Sequence, residues 1–256
     1  MSLTYQALLF IHVAIGFFSL ILFWIPVVAK KGSPLHIRTG HWYAKAMYLV
    51  GFSALILALM LMIDPISFKF PDNDFNPELT LKVAAELRAG GLFLLAISIL
   101  VLVGVRHGLQ SVRAKGNQAL MRRAGSLLIN IALLAIGVWL GFTAVGGSPM
   151  SVLYYIFAAL CSVTAITNLH FCLKRKVTRG EQIVAHIGGI IGAGIGSHTA
   201  FFVFGANRFL SEYLTGYAGI VPWVLPGVVG TLIIFQQSKK YRPRKAKATT
   251  TGTATA

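Results

Sequence analysis

Seven long apolar runs constrain this chain more than any other feature of its sequence. They cover about residues 6–29, 42–63, 86–105, 126–146, 150–173, 183–205 and 219–236. Each is close to the ~20 residues that an α-helix needs to cross the ~30 Å hydrocarbon core of a bilayer. Only 12% of the residues are charged, about half the share typical of soluble domains. The pattern predicts an all-α fold, in which residues 1–240 form one seven-helix transmembrane bundle.

Basic and acidic residues lie in alternate gaps between these runs. Nineteen of the 23 Lys and Arg residues follow the first, third, fifth and seventh runs, whereas six of the seven carboxylates lie in the other gaps. Because positively charged loops stay on the cytoplasmic side, the N-terminus is predicted to be outside and the C-terminus cytoplasmic. Residues 241–256 are basic and of low complexity, so they are predicted to form a disordered cytoplasmic tail.

The formal charge of +16 does not indicate a nucleic-acid-binding protein. The basic residues lie beside the apolar runs, where they set orientation and meet anionic headgroups, so the lipid bilayer is the partner they predict. The sequence also contains no phosphate loop, nucleophile elbow or metalloprotease helix pair. Common soluble enzyme classes are therefore excluded, and whether the chain is an enzyme stays open.

Histidine is the residue within the runs that is best suited to chemistry. His12 and His198 each lie about six or seven residues inside the outer end of a run, roughly 9 Å deep at helical rise. Near the inner ends of the second, fifth and sixth runs lie His41, His170 and His186. The histidines are thus predicted to form an outer and an inner layer.

Imidazole is a common ligand of haem and of transition metals. The leading hypothesis is therefore a histidine-ligated redox or metal-binding protein, with haem b as cofactor and a quinone as partner. His12 and His198 are the preferred outer ligands, for haem or for a metal ion, and the inner candidates are His41, His170 and His186. The alternative is structural: His12 and His198 pair with each other or with Ser197 and Thr199, because a polar ring in hydrocarbon needs a partner.

Two stripes of residues favour a second functional hypothesis. Gly188, Gly192 and Gly196 recur every four residues, which predicts close helix packing or, alternatively, room for a flat cofactor or a sliding helix. Thr164 and Asn168 share a helix face, which suits interhelical hydrogen bonds or the polar lining of a small-molecule pocket. The second hypothesis is a cofactor-free permease, or an assembly factor that binds another membrane protein.

Three segments resemble those of a known group of membrane proteins. They are His12-Val-Ala-Ile-Gly16, then His36-Ile-Arg38-Thr-Gly40-His41-Trp-Tyr43, and finally Gly192-Ala-Gly-Ile-Gly-Ser-His-Thr199-Ala-Phe201. Together they resemble bacterial membrane proteins grouped as domain of unknown function 2306, which carry a His-Arg-x-x-Gly-Arg-x-Tyr segment. Here the first Arg is displaced by one position and His41 occupies the second. The resemblance implies a multi-pass protein of the bacterial inner membrane and implies no activity.

Overall fold

The protein is a bundle of membrane-spanning helices. The computed structural model describes residues 1–72, 74–147, 150–206, 209, 212 and 216–241, and none of these lies in a strand. Within them, seven helices are long and apolar enough to cross a membrane. The predicted all-α, seven-helix transmembrane fold is confirmed, and the protein is a multi-pass membrane protein. Beyond Tyr241, the predicted tail of residues 241–256 lies outside the described residues.

Two of the connections between the long helices contain a short helix. In chain order the helices are α1 (Leu3–Val28), α2 (Pro34–Ile63), α3 (Pro65–Lys69), α4 (Pro77–Arg113), α5 (Gln118–Met121), α6 (Ala124–Val145), α7 (Ser151–Leu173), α8 (Arg179–Ala200) and α9 (Val221–Lys239). A π-helical turn, Phe201–Gly205, extends α8, and a 3-10 turn, Gly216–Ile220, leads into α9. The short α3 and α5 do not span the membrane.

Helix α4 is much longer than the apolar run that predicted it. Asn76 begins it, because the Asn76 Oδ1 atom accepts a hydrogen bond from the Leu79 amide at 2.8 Å and Pro77 suits the first helical position. At its other end the helix continues to Arg113 rather than ending near residue 105. Apolarity marks only the part of a helix in hydrocarbon, whereas caps and backbone hydrogen bonds decide where it ends. His107, which lies two residues beyond the third apolar run, is therefore part of α4.

Helix α4 is the centre of the bundle. It packs against α2 and α8 on one side and against the α6–α7 hairpin on the other. One apolar core joins α4 to α6 and α7 around Phe93 and Leu133, and a second joins it to α1, α2 and α8 around Met47 and Val105. Helix α9 packs on α8. Because α7 and α8 both rest on α4 without packing extensively on each other, the two halves of the bundle leave a gap between them.

Closely packed glycines join α4 to α8, but they are not the glycines predicted to do so. A Cβ atom added to Gly189 would lie 2.5 Å from the Gly104 carbonyl oxygen and 2.9 Å from the Gly108 Cα atom. The same test at Gly188 and Gly192 finds nothing within 4 Å, and at Gly196 it finds only Val101, at 3.4 Å. The predicted close packing of the Gly188–Gly192–Gly196 stripe is therefore wrong for its first two members, which face open space.

Candidate functional site

A groove of about 1230 Å³ lies between α7 and α8. We call it the lateral groove. Its walls are residues between Val152 and Lys174 of α7, between Glu181 and Thr199 of α8, and between Trp223 and Thr231 of α9, and its floor is α4. At 1.5 Å per residue the α7 wall is roughly 33 Å long, which is close to the thickness of the hydrocarbon core. The groove therefore runs through most of the membrane depth.

Small residues on α8 keep the groove open. Gly188 and Gly192 line it, and no atom lies within 4 Å of a Cβ placed on either of them. Gly189, beside them on α8, packs directly against the backbone of α4. Successive residues of a helix point about 100° apart, so one face of α8 packs tightly while the next face leaves space.

The polar side chains of the groove are concentrated towards one end. Most of the lining is apolar. Near this end it includes four neutral polar side chains, which we call the polar cluster: His107, Thr164, Thr167 and Asn168. His107 is 6% exposed, and its ring meets the edge of Phe171 with 5.3 Å between ring centroids. Phe171 follows Asn168 by three residues on α7, so its contact with His107 brings the neutral hydrogen-bonding groups of α4 and α7 to the same part of the groove.

A chain of hydrogen bonds holds Asn168 in place. Asn168 Nδ2 donates to Asn130 Oδ1 at 3.0 Å, and Asn130 Nδ2 donates to the Ser126 carbonyl at 2.7 Å. The Ser126 hydroxyl in turn donates to Gln110 Oε1 at 2.8 Å. The network thus joins α7, α6 and α4, as predicted for an interhelical polar stripe. It uses one amide hydrogen of Asn168, and the Asn168 Oδ1 atom is an acceptor beside the groove.

An ion pair lies at the end of the groove nearest the polar cluster. Lys174 Nζ lies 2.8 Å from Glu181 Oε1 and links the end of α7 to the start of α8. Glu181 Oε2 also accepts from the Thr178 backbone amide at 2.8 Å, which completes a capping box on α8. Arg122 donates from Nη2 to the Lys174 carbonyl at 2.9 Å and so satisfies a carbonyl just beyond the last turn of α7. Lys174 and Glu181 thus neutralise each other at this mouth.

The structure does not bring the predicted outer pair, His12 and His198, together. His12 Nδ1 is 2.9 Å from the Ser53 hydroxyl oxygen. The ring of His198 meets Phe23 and Trp24 at centroid distances of 5.1 and 5.7 Å. Those two residues lie eleven and twelve positions beyond His12 on α1, roughly 17 Å along the helix. The two histidines therefore have no shared ligand position.

The predicted hydrogen-bond partners of these two histidines are also wrong. His12 binds Ser53 of α2, and His198 Nδ1 donates to the Gly194 carbonyl of its own helix at 2.8 Å. Neither bond is made to the other histidine or to Ser197 or Thr199. A local carbonyl or a hydroxyl one helix away is sufficient, because one hydrogen bond removes most of the cost of burying a neutral imidazole.

The predicted inner histidines are likewise separated. His41 and His170 are exposed on α2 and α7. His186 Nδ1 donates to the Gly108 carbonyl at 2.9 Å, and its nearest histidine is His36, with 6.5 Å between ring centroids. His36 Nδ1 donates to the Pro26 carbonyl at 2.9 Å. The described part of the chain contains no group of three or more His, Cys, Asp or Glu side chains that could hold a metal ion. The structure therefore gives no support to a transition-metal centre at these residues.

The groove contains one histidine that the sequence did not single out. All seven histidines lie within the described residues, and only His107 lines the lateral groove. Thr164 and Asn168, the residues proposed as a polar lining, line it as well, together with Gly188, Gly192 and Gly196. The signal that was missed is the helical continuation of α4: His107 lies three residues after Gly104 and so on nearly the same helix face.

Comparisons with other proteins do not add to this geometry. No protein-family model, curated protein or solved structure matches the chain. The site therefore has to be interpreted from its own chemistry.

Proposed function

We propose that the protein binds an elongated apolar lipid with an uncharged carbonyl head group, the chemistry of an isoprenoid quinone. The observation that carries the proposal is one groove in which a wall of membrane-depth length, largely apolar, leads to a neutral polar cluster. Ligand sites of this kind are mostly apolar and contain a few polar groups that orient the ligand. A quinone was the partner expected from the sequence, and the proposal places it in the groove.

The burial and neutrality of the polar cluster favour an uncharged head group. His107 is buried and the side chains of the cluster are neutral, so a phosphate would be costly to bury beside them. Quinone carbonyl oxygens accept hydrogen bonds, which the His107 ring, the Thr164 and Thr167 hydroxyls and the second Asn168 amide hydrogen can donate. Lys174, the cation that lines this end of the groove, is already paired with Glu181 and so is not a free partner for a charged head group.

The rest of the groove suits the tail of such a lipid. From the polar cluster towards Val152, α7 presents Leu160, Ile156 and Leu153, and the opposite wall contains Gly192 and Trp223. Because α7 and α8 do not pack extensively on each other, the tail can enter sideways from the bilayer. Binding of this kind is the step shared by a quinone-dependent redox protein and a lipid permease, so it is the step to test first.

The test uses a tryptophan that lines the groove. We expect decylubiquinone, added to the full chain in detergent, to quench the fluorescence of Trp223 in a saturable way because quinones quench nearby indoles. Trp139 is an exposed tryptophan of α6 that does not line the groove and provides the matched control. Saturable quenching should persist in a Trp139→Phe variant and disappear in Trp223→Phe. Equal, non-saturable quenching in both variants would refute the proposal.

Haem b remains the second candidate, and His107 is the observation that favours it. A single buried imidazole beside a large groove can provide one axial ligand, as a proximal histidine does in several haem proteins. Ligation by two histidines in this groove is not supported, since the other six lie elsewhere. A reduced-minus-oxidised visible spectrum of the same sample separates the two candidates. A Soret band that His107→Ala removes would favour haem.

We also propose that the protein lies in the bacterial inner membrane with its N-terminus outside. The segregation of Lys and Arg residues supports this threading, and the family resemblance supports the membrane. A cysteine introduced at Lys240 should then react with a membrane-impermeant maleimide only after the cells are opened. Labelling of intact cells would show that the C-terminal end lies outside and that the proposed orientation is wrong.

A further inference from the structure

A second, smaller pocket lies at the start of α8, away from the lateral groove. It measures about 420 Å³ and is lined by Lys115, Gly116, Arg179 and Gln182. Two of these residues are cations and no carboxylate is among them. Lys115 and Gly116 belong to the turn that follows α4, whereas Arg179 and Gln182 lie in the first turn of α8. The pocket therefore joins two chain segments that are far apart in sequence.

Gln182 gives this pocket an unused hydrogen-bond donor. The side chain is 1% exposed, and its Nε2 atom has no hydrogen-bond partner within the described residues. An amide buried without a partner is costly, so a buried donor of this kind indicates a ligand or an ordered water. Gln182 lines the pocket with Arg179, and an oxyanion placed there would accept from both.

The backbone around the pocket also suits an anion. The start of a helix carries a partial positive charge and unpaired amide groups. The one carboxylate in this turn, Glu181, pairs with Lys174 and forms a capping box with Thr178. It does not line this pocket. Gly116 has φ of 90° and no atom within 4 Å of an added Cβ, so its backbone borders open space.

Positive charge is in excess throughout this end of the bundle. Arg179 and Lys31 both act electrostatically on His186. Burial, and after it the neighbouring charge of Lys240, lowers the pKa of Lys31 below its ordinary value. Bringing a bound anion to this end would relieve the repulsion among these groups.

We propose that this pocket binds a phosphate group, which Lys115, Arg179 and Gln182 hold. The pocket adjoins the ends of membrane-spanning helices, which is the level of lipid headgroups. The phosphate can therefore belong to an anionic phospholipid or to a soluble phosphate. The proposal is independent of quinone binding, because it involves none of the residues that line the lateral groove.

The experiment has one arm for each source and uses the full chain in both. In the first arm, inorganic phosphate is added to protein in detergent and its melting temperature is followed. In the second, the protein is reconstituted in phosphatidylcholine nanodiscs with or without phosphatidylglycerol, and native mass spectrometry counts the anionic lipid it retains. Lys115→Gln and Arg179→Gln test the pocket. Arg175→Gln removes the same charge from an exposed residue outside the pocket and is the matched control.

We expect either the melting temperature to rise with phosphate or phosphatidylglycerol to be retained. The pocket variants should weaken this binding roughly tenfold, because each removes a charged hydrogen bond, and Arg175→Gln should leave it unchanged. A melting shift with inorganic phosphate would identify a soluble ligand, and retention of phosphatidylglycerol alone a lipid. Gln182→Leu should weaken the same signal without loss of stability, since it removes an unpaired polar group. The proposal is overturned if neither arm gives a signal, or if Arg175→Gln lowers it as much as the pocket variants.

Discussion

Replacing Gly189 by leucine is expected to prevent assembly of the bundle. A Cβ atom at this position would lie 2.5 Å from the Gly104 carbonyl oxygen and 2.9 Å from the Gly108 Cα and N atoms. These are backbone atoms of the central helix, so no side-chain rotation can relieve the overlap. Overpacking of ordinary cores costs about 1–3 kcal/mol, and a rigid backbone contact belongs at or beyond the upper end of that range. Separation of α4 and α8 would also break the hydrogen bond from His186 to the Gly108 carbonyl.

The neighbouring glycine provides a control for this prediction. Gly188→Leu adds the same side chain one position earlier, where no atom lies within 4 Å of the new Cβ. The measurement is the yield of monodisperse protein by size-exclusion chromatography in detergent, together with the melting temperature of what is recovered. Gly188→Leu should behave as the native chain does, and Gly189→Leu should be aggregated or absent. Similar behaviour of the two variants would show that α4 and α8 do not pack as the structure describes.

Replacing Gly192 by leucine is expected to leave the fold intact and to weaken quinone binding. The added side chain projects into the lateral groove, on the wall opposite α7, and meets nothing within 4 Å of its Cβ. It would therefore occupy space that the lipid tail needs. If the ligand has to repack at a cost of about 1–3 kcal/mol, its dissociation constant rises roughly 5- to 150-fold.

The readout is the saturable quenching of Trp223 by decylubiquinone, and the control is Gly16→Leu. Gly16 lies in α1, has nothing within 4 Å of an added Cβ and does not line the groove. The control variant should bind as the native chain does, whereas Gly192→Leu should not. If Gly192→Leu folds normally and binds quinone with unchanged affinity, the ligand does not occupy the groove beside α8, and the proposed site is incorrect.

The two ends of α4 were difficult to predict from the sequence for different reasons. The start of α4 at Asn76-Pro77 has a sequence signature, a capping residue followed by proline, but it lies outside the apolar run used to mark the span. The other end, near Arg113, lies among basic residues that read equally well as a loop. Because α4 continues to Arg113, His107 is helical and belongs to the polar cluster.

The histidine hypothesis shows why depth alone does not define a site. His12 and His198 were placed at a similar depth by counting residues from the ends of their runs. In the structure His198 lies beside Phe23 and Trp24, roughly 17 Å along α1 from His12. Counting residues within one helix contains no information about its displacement against another.

The sequence alone determined that seven helices cross a membrane. Unbroken apolar segments of that length are stable in hydrocarbon, because helical hydrogen bonds pair their backbone N–H and C=O groups there. Only the tertiary structure decided which glycine of α8 packs against α4 and which two border open space. That choice depends on helix rotation and on backbone contacts between segments distant in the chain, such as Gly104 with Gly189. The lateral groove follows from the same contacts, since it exists where α7 and α8 each pack on α4 and leave a gap between themselves.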